Sequence, residues 1–175
     1  MLVCPCAQDK GINPPGAVNP PGTSDSAWHW TLSTPVYAAS YGYNKWLQSD
    51  QFYGNDARNY NQESAINHPG LTPVFMDSVW INLYAETNDS PPTSLYDPAD
   101  NPGTDSSGMT RVCIDRHGGR PASAAPKKLS FGTTVLPGCI VMGFYDGHVE
   151  PVKLQNLWSY YWHLNWVPSA PPPVL

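Results

Sequence analysis

Hydrophobic and polar positions alternate most clearly in the last third of the chain. From Gly138 to Tyr145, Ile140, Met142 and Phe144 fall on one side and Val141, Gly143 and Tyr145 on the other, which predicts a strand. Asp146-Gly147 then precedes a second extended run through His148, Val149 and Glu150, a strong hairpin signal. Met109–Asp115 (MTRVCID) reads as another strand, with Thr110, Val112 and Ile114 on one face, and as the partner of 138–145. Pro73–Tyr84 (PVFMDSVWINLY) is rich in β-branched and aromatic residues, although alternation breaks at Val79-Trp80-Ile81. Trp28-His29-Trp30 and Tyr41-Gly42-Tyr43 suggest shorter extended pieces. Leu154, Leu157, Trp158 and Tyr161 recur at i, i+3, i+4 and i+7, predicting an amphipathic helix over 154–163.

Between these runs the chain is punctuated. Residues 1–27 hold Asn13-Pro14-Pro15-Gly16 and Asn19-Pro20-Pro21-Gly22, a near-repeat expected to make two successive turns. Residues 88–108 form a long polar loop, and 168–175 a Pro-rich extended tail. The 175 residues are therefore expected as one α+β domain, mostly β and loop-rich, with a small antiparallel sheet in 73–152 and a short C-terminal helix.

Composition sharpens this picture. The 20 Pro and 14 Gly limit regular structure, and charged residues make up 13% against about 25% in ordinary soluble domains. An apolar content of 41% still permits a packed core, with 7 Trp and 10 Tyr supplying much of its bulk. The net charge of -5 argues against a nucleic-acid partner. Charge is segregated along the chain. No Lys or Arg lies between Asn59 and Thr110, where seven acids fall, and Arg111, Arg116, Arg120, Lys127 and Lys128 then cluster. Solvated loops of opposite sign and complementary faces between neighbouring subunits are both open readings. No stretch reaches the length of a membrane span and no signal peptide is visible; Met1-Leu2-Val3-Cys4-Pro5 looks like the start of a fragment.

Candidate chemistry is sparse. Cys4-Pro5-Cys6 is tighter than the usual zinc-ligand spacing. Cys113 and Cys139 lie in apolar runs, where a disulfide closing about 25 residues and two buried free thiols are the alternatives. His117, Asp146 and His148 suit a metal pair or an acid/base set, yet Asp-Gly-His sits at a tight turn and a structural His117–Asp146 hydrogen bond is favoured. Asp97, Asp100, Asn101 and Asp105 could offer oxygen ligands to calcium, without EF-hand spacing. No catalytic residue or other cofactor is indicated. Leu154, Leu157, Trp158 and Tyr161 are expected in the core, and Tyr160 and Trp162 are expected to be contact aromatics.

Arg116-His117-Gly118-Gly119, then Asp146-Gly147-His148-Val149 and the run from Leu154 to Trp162, resemble the prepilin-like proteins with an H-X(9)-DG domain. Pro73–Asp77 and the Leu2–Pro5 start look like earlier parts of such proteins. The chain departs from that pattern in its spacing, since 28 residues separate His117 from Asp146; residues 120–136 read as a loop inserted at a kept junction. It also lacks the processing site and N-terminal helix through which members meet the membrane. The resemblance implies a pilin-like or pseudopilin-like head, displayed outside the inner membrane and partnered by other pilin-like or secretion-system subunits. Its function would be that of a non-enzymatic subunit of a type II secretion or type IV pilus-like assembly. The alternatives are a secreted carbohydrate-binding module using exposed Trp and Tyr, favoured by coplanar exposed rings, and a metal-dependent hydrolase built on His117, Asp146 and His148.

Overall fold

The alternating run at the end of the chain becomes the centre of the main sheet. In the computed structural model, which describes residues 2–48, 56–98, 108–130 and 132–171, seven strands form two sheets. β1 (Trp28–Trp30) and β2 (Tyr37–Ala39) pair antiparallel as a small ribbon. β3 (Tyr41–Asn44), β4 (Pro73–Asp77), β5 (Asn82–Leu83), β6 (Cys139–Phe144) and β7 (Val149–Lys153) form the main sheet in the order β5-β3-β4-β6-β7. All neighbours in it run antiparallel except β3 and β5. The molecule is thus mostly β and loop, and every helical element among the described residues is a short 3-10 turn. None is long and apolar enough to cross a membrane.

β6 buries Ile140, Met142 and Phe144 as its alternation requires. The β6–β7 hairpin closes through Asp146-Gly147, with Gly147 at φ 93°, a backbone region that glycine enters without penalty. Pro151 is accommodated because β7 is an edge strand, and the opposite edge, β5, is only two residues long. The register between β4 and β6 shifts between Pro73 and Phe75.

Three expected elements differ. Met109–Asp115 is not a strand: Gly108–Arg111 is a 3-10 turn and the chain then crosses the core irregularly. Met109 and the run Val112–Asp115 are fully buried and only the neighbouring Thr110 and Arg111 are half-buried, so exposure does not alternate along the segment as a two-sided strand pattern requires. The partners of β6 are β4 and β7 instead. Pro73–Tyr84 is divided after Asp77, where the Ser78 hydroxyl accepts from the Trp80 N–H and donates to the Arg111 carbonyl, competing with the ladder.

The predicted helix over 154–163 is a 3-10 turn, Leu154–Ser159. The Trp162 indole N–H donates to the Leu157 carbonyl at 2.7 Å, and the Trp166 indole N–H donates to the Trp158 carbonyl at 3.2 Å. These are the carbonyls an α-helix would pair with the backbone N–H of residues 161 and 162. The Tyr161 N–H goes to the Leu71 carbonyl instead. Leu154, Leu157 and Trp158 are buried as expected and Tyr161 is half-buried. Trp162 is fully buried and Tyr160 is buried with its hydroxyl on Glu150, so neither is a contact aromatic.

The core is built around Met76, Leu83, Ile114, Ile140, Met142, Leu157, Trp158 and Trp162. In the N-terminal segment the first Asn-Pro-Pro-Gly copy makes a turn, with Ala17 N–H on the Pro14 carbonyl and Gly16 at φ 83°. In the second, the Gly22 N–H is drawn to the Val79 carbonyl. The shared sequence therefore takes two uses according to what it packs on.

A buried Arg-Asp-His node and the thiols beside it

β4 delivers Asp77 at its end, fully buried, and the irregular crossing segment delivers Arg116 and His117 to meet it. Arg116 Nη1 lies 3.1 Å from Asp77 Oδ1, and His117 Nε2 lies 3.1 Å from Asp77 Oδ2, which also accepts the Val141 N–H of β6 at 2.8 Å. Burial alone pushes the Asp77 carboxyl upward. The His117 hydrogen bond, the Arg116 charge and the Val141 N–H outweigh it and hold the group below the usual carboxylate range.

The remaining Arg116 donors reach the backbone carbonyls of Thr23, Ser24, Ser40 and Ser78. One guanidinium therefore fastens the N-terminal segment, the loop before β3 and the end of β4 to a single point. This answers the cost of placing a cation in the interior, because every donor direction finds an acceptor. Nearby, the Ser24 hydroxyl donates to the Asp115 carbonyl at 2.6 Å.

The strand after the long loop returns to this same place. The His117 N–H donates to the Cys139 carbonyl at 3.0 Å, and the Cys139 thiol donates to the His117 carbonyl at 2.9 Å. Side chains on Gly118 or Gly138 would overlap the Asp115 carboxylate, which packs against both. Asp115 is fully buried, within 3.1 Å of Arg120 Nε, and burial raises its pKa against the pull of Arg120. The segment 120–136 thus begins and ends beside one point, while its Pro126 and Leu129 bond to the backbone of residues 93–96 and its Leu129 and Leu136 enter the core.

Two cysteines complete the neighbourhood. Cys4, buried, donates its N–H to the Ser40 hydroxyl at 2.6 Å, and its Sγ is 3.5 Å from His117 Nε2. The exposed Cys6 places its Sγ 3.8 Å from His117 Nδ1. Burial raises the Cys4 thiol, and it raises the nearby Tyr41 hydroxyl to about 12, with Cys4 itself contributing.

The expected site residues are redistributed accordingly. His117 does not bond Asp146: its partner is Asp77, a residue the sequence reading placed only in a strand. Asp146 pairs with His148 across two residues, Nδ1 to Oδ1 at 2.6 Å, and the same oxygen accepts the His148 N–H, so the pair is a turn device on an exposed hairpin. The His148 ring stacks on Phe144 at 4.4 Å. The imagined His117–Asp146–His148 set is therefore split between two places. Gly119, at φ 82°, turns the exposed chain after His117. Cys113 and Cys139 are both free thiols, and no disulfide joins them. Cys4-Pro5-Cys6, set aside on spacing, is the thiol pair that reaches the histidine.

Of the acidic loop, Asp97 N–H donates to the Ser94 hydroxyl, while Asp100, Asn101 and Asp105 lie outside the described residues. The basic cluster does not form a common face. Arg116 is buried, Arg120 meets Asp115, Arg111 donates to Asn82, and Lys127 lies over the Tyr96 ring.

A second feature lies at the ribbon of β1 and β2, an apolar groove lined by Leu2, Trp28, Trp30, Tyr37 and Ile81. Trp80 packs against Trp28 and Trp30 with its ring tilted by 54° and 49°. No protein-family model, curated protein or solved structure matches this chain.

Proposed function

We propose that this chain is a pilin-like head, a non-enzymatic extracytoplasmic subunit of a type II secretion or type IV pilus-like assembly that works beside other subunits of that kind. The observation that carries the reading is the meeting of residues 117–118 with 138–139. The 28 residues between His117 and Asp146 are the chain's departure from the H-X(9)-DG spacing, and the segment that accounts for most of them has its two ends side by side. A loop added at a fixed junction costs little, since closure entropy grows slowly with length.

The use made of the motif residues supports a structural role. Arg116 fastens backbone, Gly118 admits the Asp115 carboxylate, and Asp146-Gly147-His148 forms a turn. The sugar-binding alternative asks for coplanar exposed rings, and the tilts among Trp28, Trp30 and Trp80 do not offer that platform.

The reading is tested by replacing exposed Tyr37 with a photo-crosslinking residue in the producing bacterium and fractionating the cells. A crosslinked adduct with a pilin-like subunit in the envelope or sheared-filament fraction is expected. A chain found in the cytosol, or free in the medium without an adduct, overturns it.

A further inference from the structure

We infer that Cys4, Cys6 and His117 form a binding site for a thiophilic d10 cation, with Zn2+ as the ion the donor set fits. One ligand atom from each of the three residues lies within 4.8 Å of the others, although Cys6 and His117 are 111 positions apart in sequence. Zn–S bonds of about 2.3 Å and Zn–N bonds of about 2.0–2.1 Å in a tetrahedron place sulfur and nitrogen about 3.5–3.6 Å apart. Cys6 Sγ lies 3.8 Å from His117 Nδ1, close to that separation, whereas the 3.5 Å contact of Cys4 Sγ is to Nε2, so Cys4 Sγ has to turn toward Nδ1 for the three residues to share one ion.

The imidazole is already oriented by a second residue. Asp77 accepts from Nε2 at 3.1 Å, and with the carboxylate ionised that nitrogen carries the proton. Nδ1 is left with its lone pair on the Cys6 side. A carboxylate holding the far nitrogen of a ligand histidine fixes its tautomer and ring plane and raises its basicity. Ordinary packing accounts for a buried Cys4, but it does not account for an exposed cysteine turned to the same ring. Two thiolates and one imidazole favour zinc or Cu(I) over calcium or magnesium, which take oxygen ligands. Cys6 lies at the surface, so the ion has a path in and water can supply the fourth position. Binding replaces a thiol proton on each cysteine with a metal–sulfur bond and changes no oxidation state. The ion would clasp the start of the N-terminal segment to the turn at His117, independently of any role in an assembly.

The full chain, stripped with a chelator and kept reduced by a phosphine, is titrated with Zn2+ against a chromophoric chelator. Co2+ then replaces zinc as the spectroscopic probe. One ion per chain is expected, with thiolate-to-cobalt charge-transfer absorption and the intense visible bands of a tetrahedral site. Cys6→Ser, which alters only an exposed side chain, should weaken binding by more than about 100-fold and reduce the charge-transfer intensity, with an unchanged near-ultraviolet circular dichroism spectrum. His117→Gln should remove the tetrahedral signature, whereas Cys139→Ser should keep it. An octahedral cobalt spectrum, wild-type affinity in Cys6→Ser, or no binding at one equivalent overturns the site. Binding of Cu+ in a chain that does not take up Zn2+ overturns the assignment to zinc.

Discussion

Asp77 and Arg116 show how much one buried pair can hold. Asp77→Asn leaves the Arg116 cation in the interior without its counter-charge, a loss of about 3–5 kcal/mol by analogy with other broken buried pairs. A denaturant midpoint well below wild type at pH 7 is expected. Because the Asp77 carboxyl is held below its unfolded value of 3.8, its contribution is present above that pH and disappears as pH falls through the folded value. Acid should therefore destabilise the wild type more than the Asn variant, and the two midpoints should converge.

Asp89 is the opposite case. Its Oδ2 accepts the Glu86 and Met109 N–H groups at 2.9 Å each, yet burial pushes the group up to about 6. A raised carboxyl favours the folded state below its unfolded pKa and loses that advantage as pH rises through the folded one. Asp89→Asn, which keeps an acceptor oxygen, should raise the melting temperature at pH 8, by on the order of 1–2 kcal/mol of stability. The difference from wild type should shrink toward pH 4.

At the level of elements, the C-terminal 3-10 turn depends on tryptophan N–H groups standing in for backbone donors. Trp162→Phe conserves most of the ring volume but leaves the Leu157 carbonyl without its indole partner, an expected cost of about 1–3 kcal/mol. Equilibrium unfolding measures it, and a neutral result would mean that the backbone rearranges to supply the donor. The β6–β7 hairpin poses a backbone question instead. At φ 93°, Gly147→Ala should lose about 1 kcal/mol with no packing change, because nothing stands near a Cβ there.

Across the whole molecule, Arg116 ties carbonyls at 23, 24, 40 and 78, so the irregular N-terminal third is fastened to the main sheet. Amide exchange should place residues 22–40 among the well-protected part of the chain despite their few ladder bonds. In Arg116→Met their protection should fall, while β6 remains protected at mild denaturant. Equal loss in both would show that the segment and the sheet open as one unit.

The sequence alone determined what depends on near neighbours. The alternation of Ile140, Met142 and Phe144, the Asp146-Gly147 turn, the extended pieces at 28–30 and 41–43 and the burial of Leu154, Leu157 and Trp158 were all legible, since strand pleat and turn geometry act over two to four residues. The segment 109–115 was not, because its run 112–115 is buried on every side and carries no periodic contrast. The helix at 154–163 had the right spacing but lost its hydrogen bonds to indoles and to Leu71, which only packing brings near. His117 drew notice with Asp146 as its expected partner. That its partner is Asp77 and that Cys4 and Cys6 approach the same ring was decided by the tertiary fold, because contacts across 40 to 113 residues leave no local trace in a single sequence.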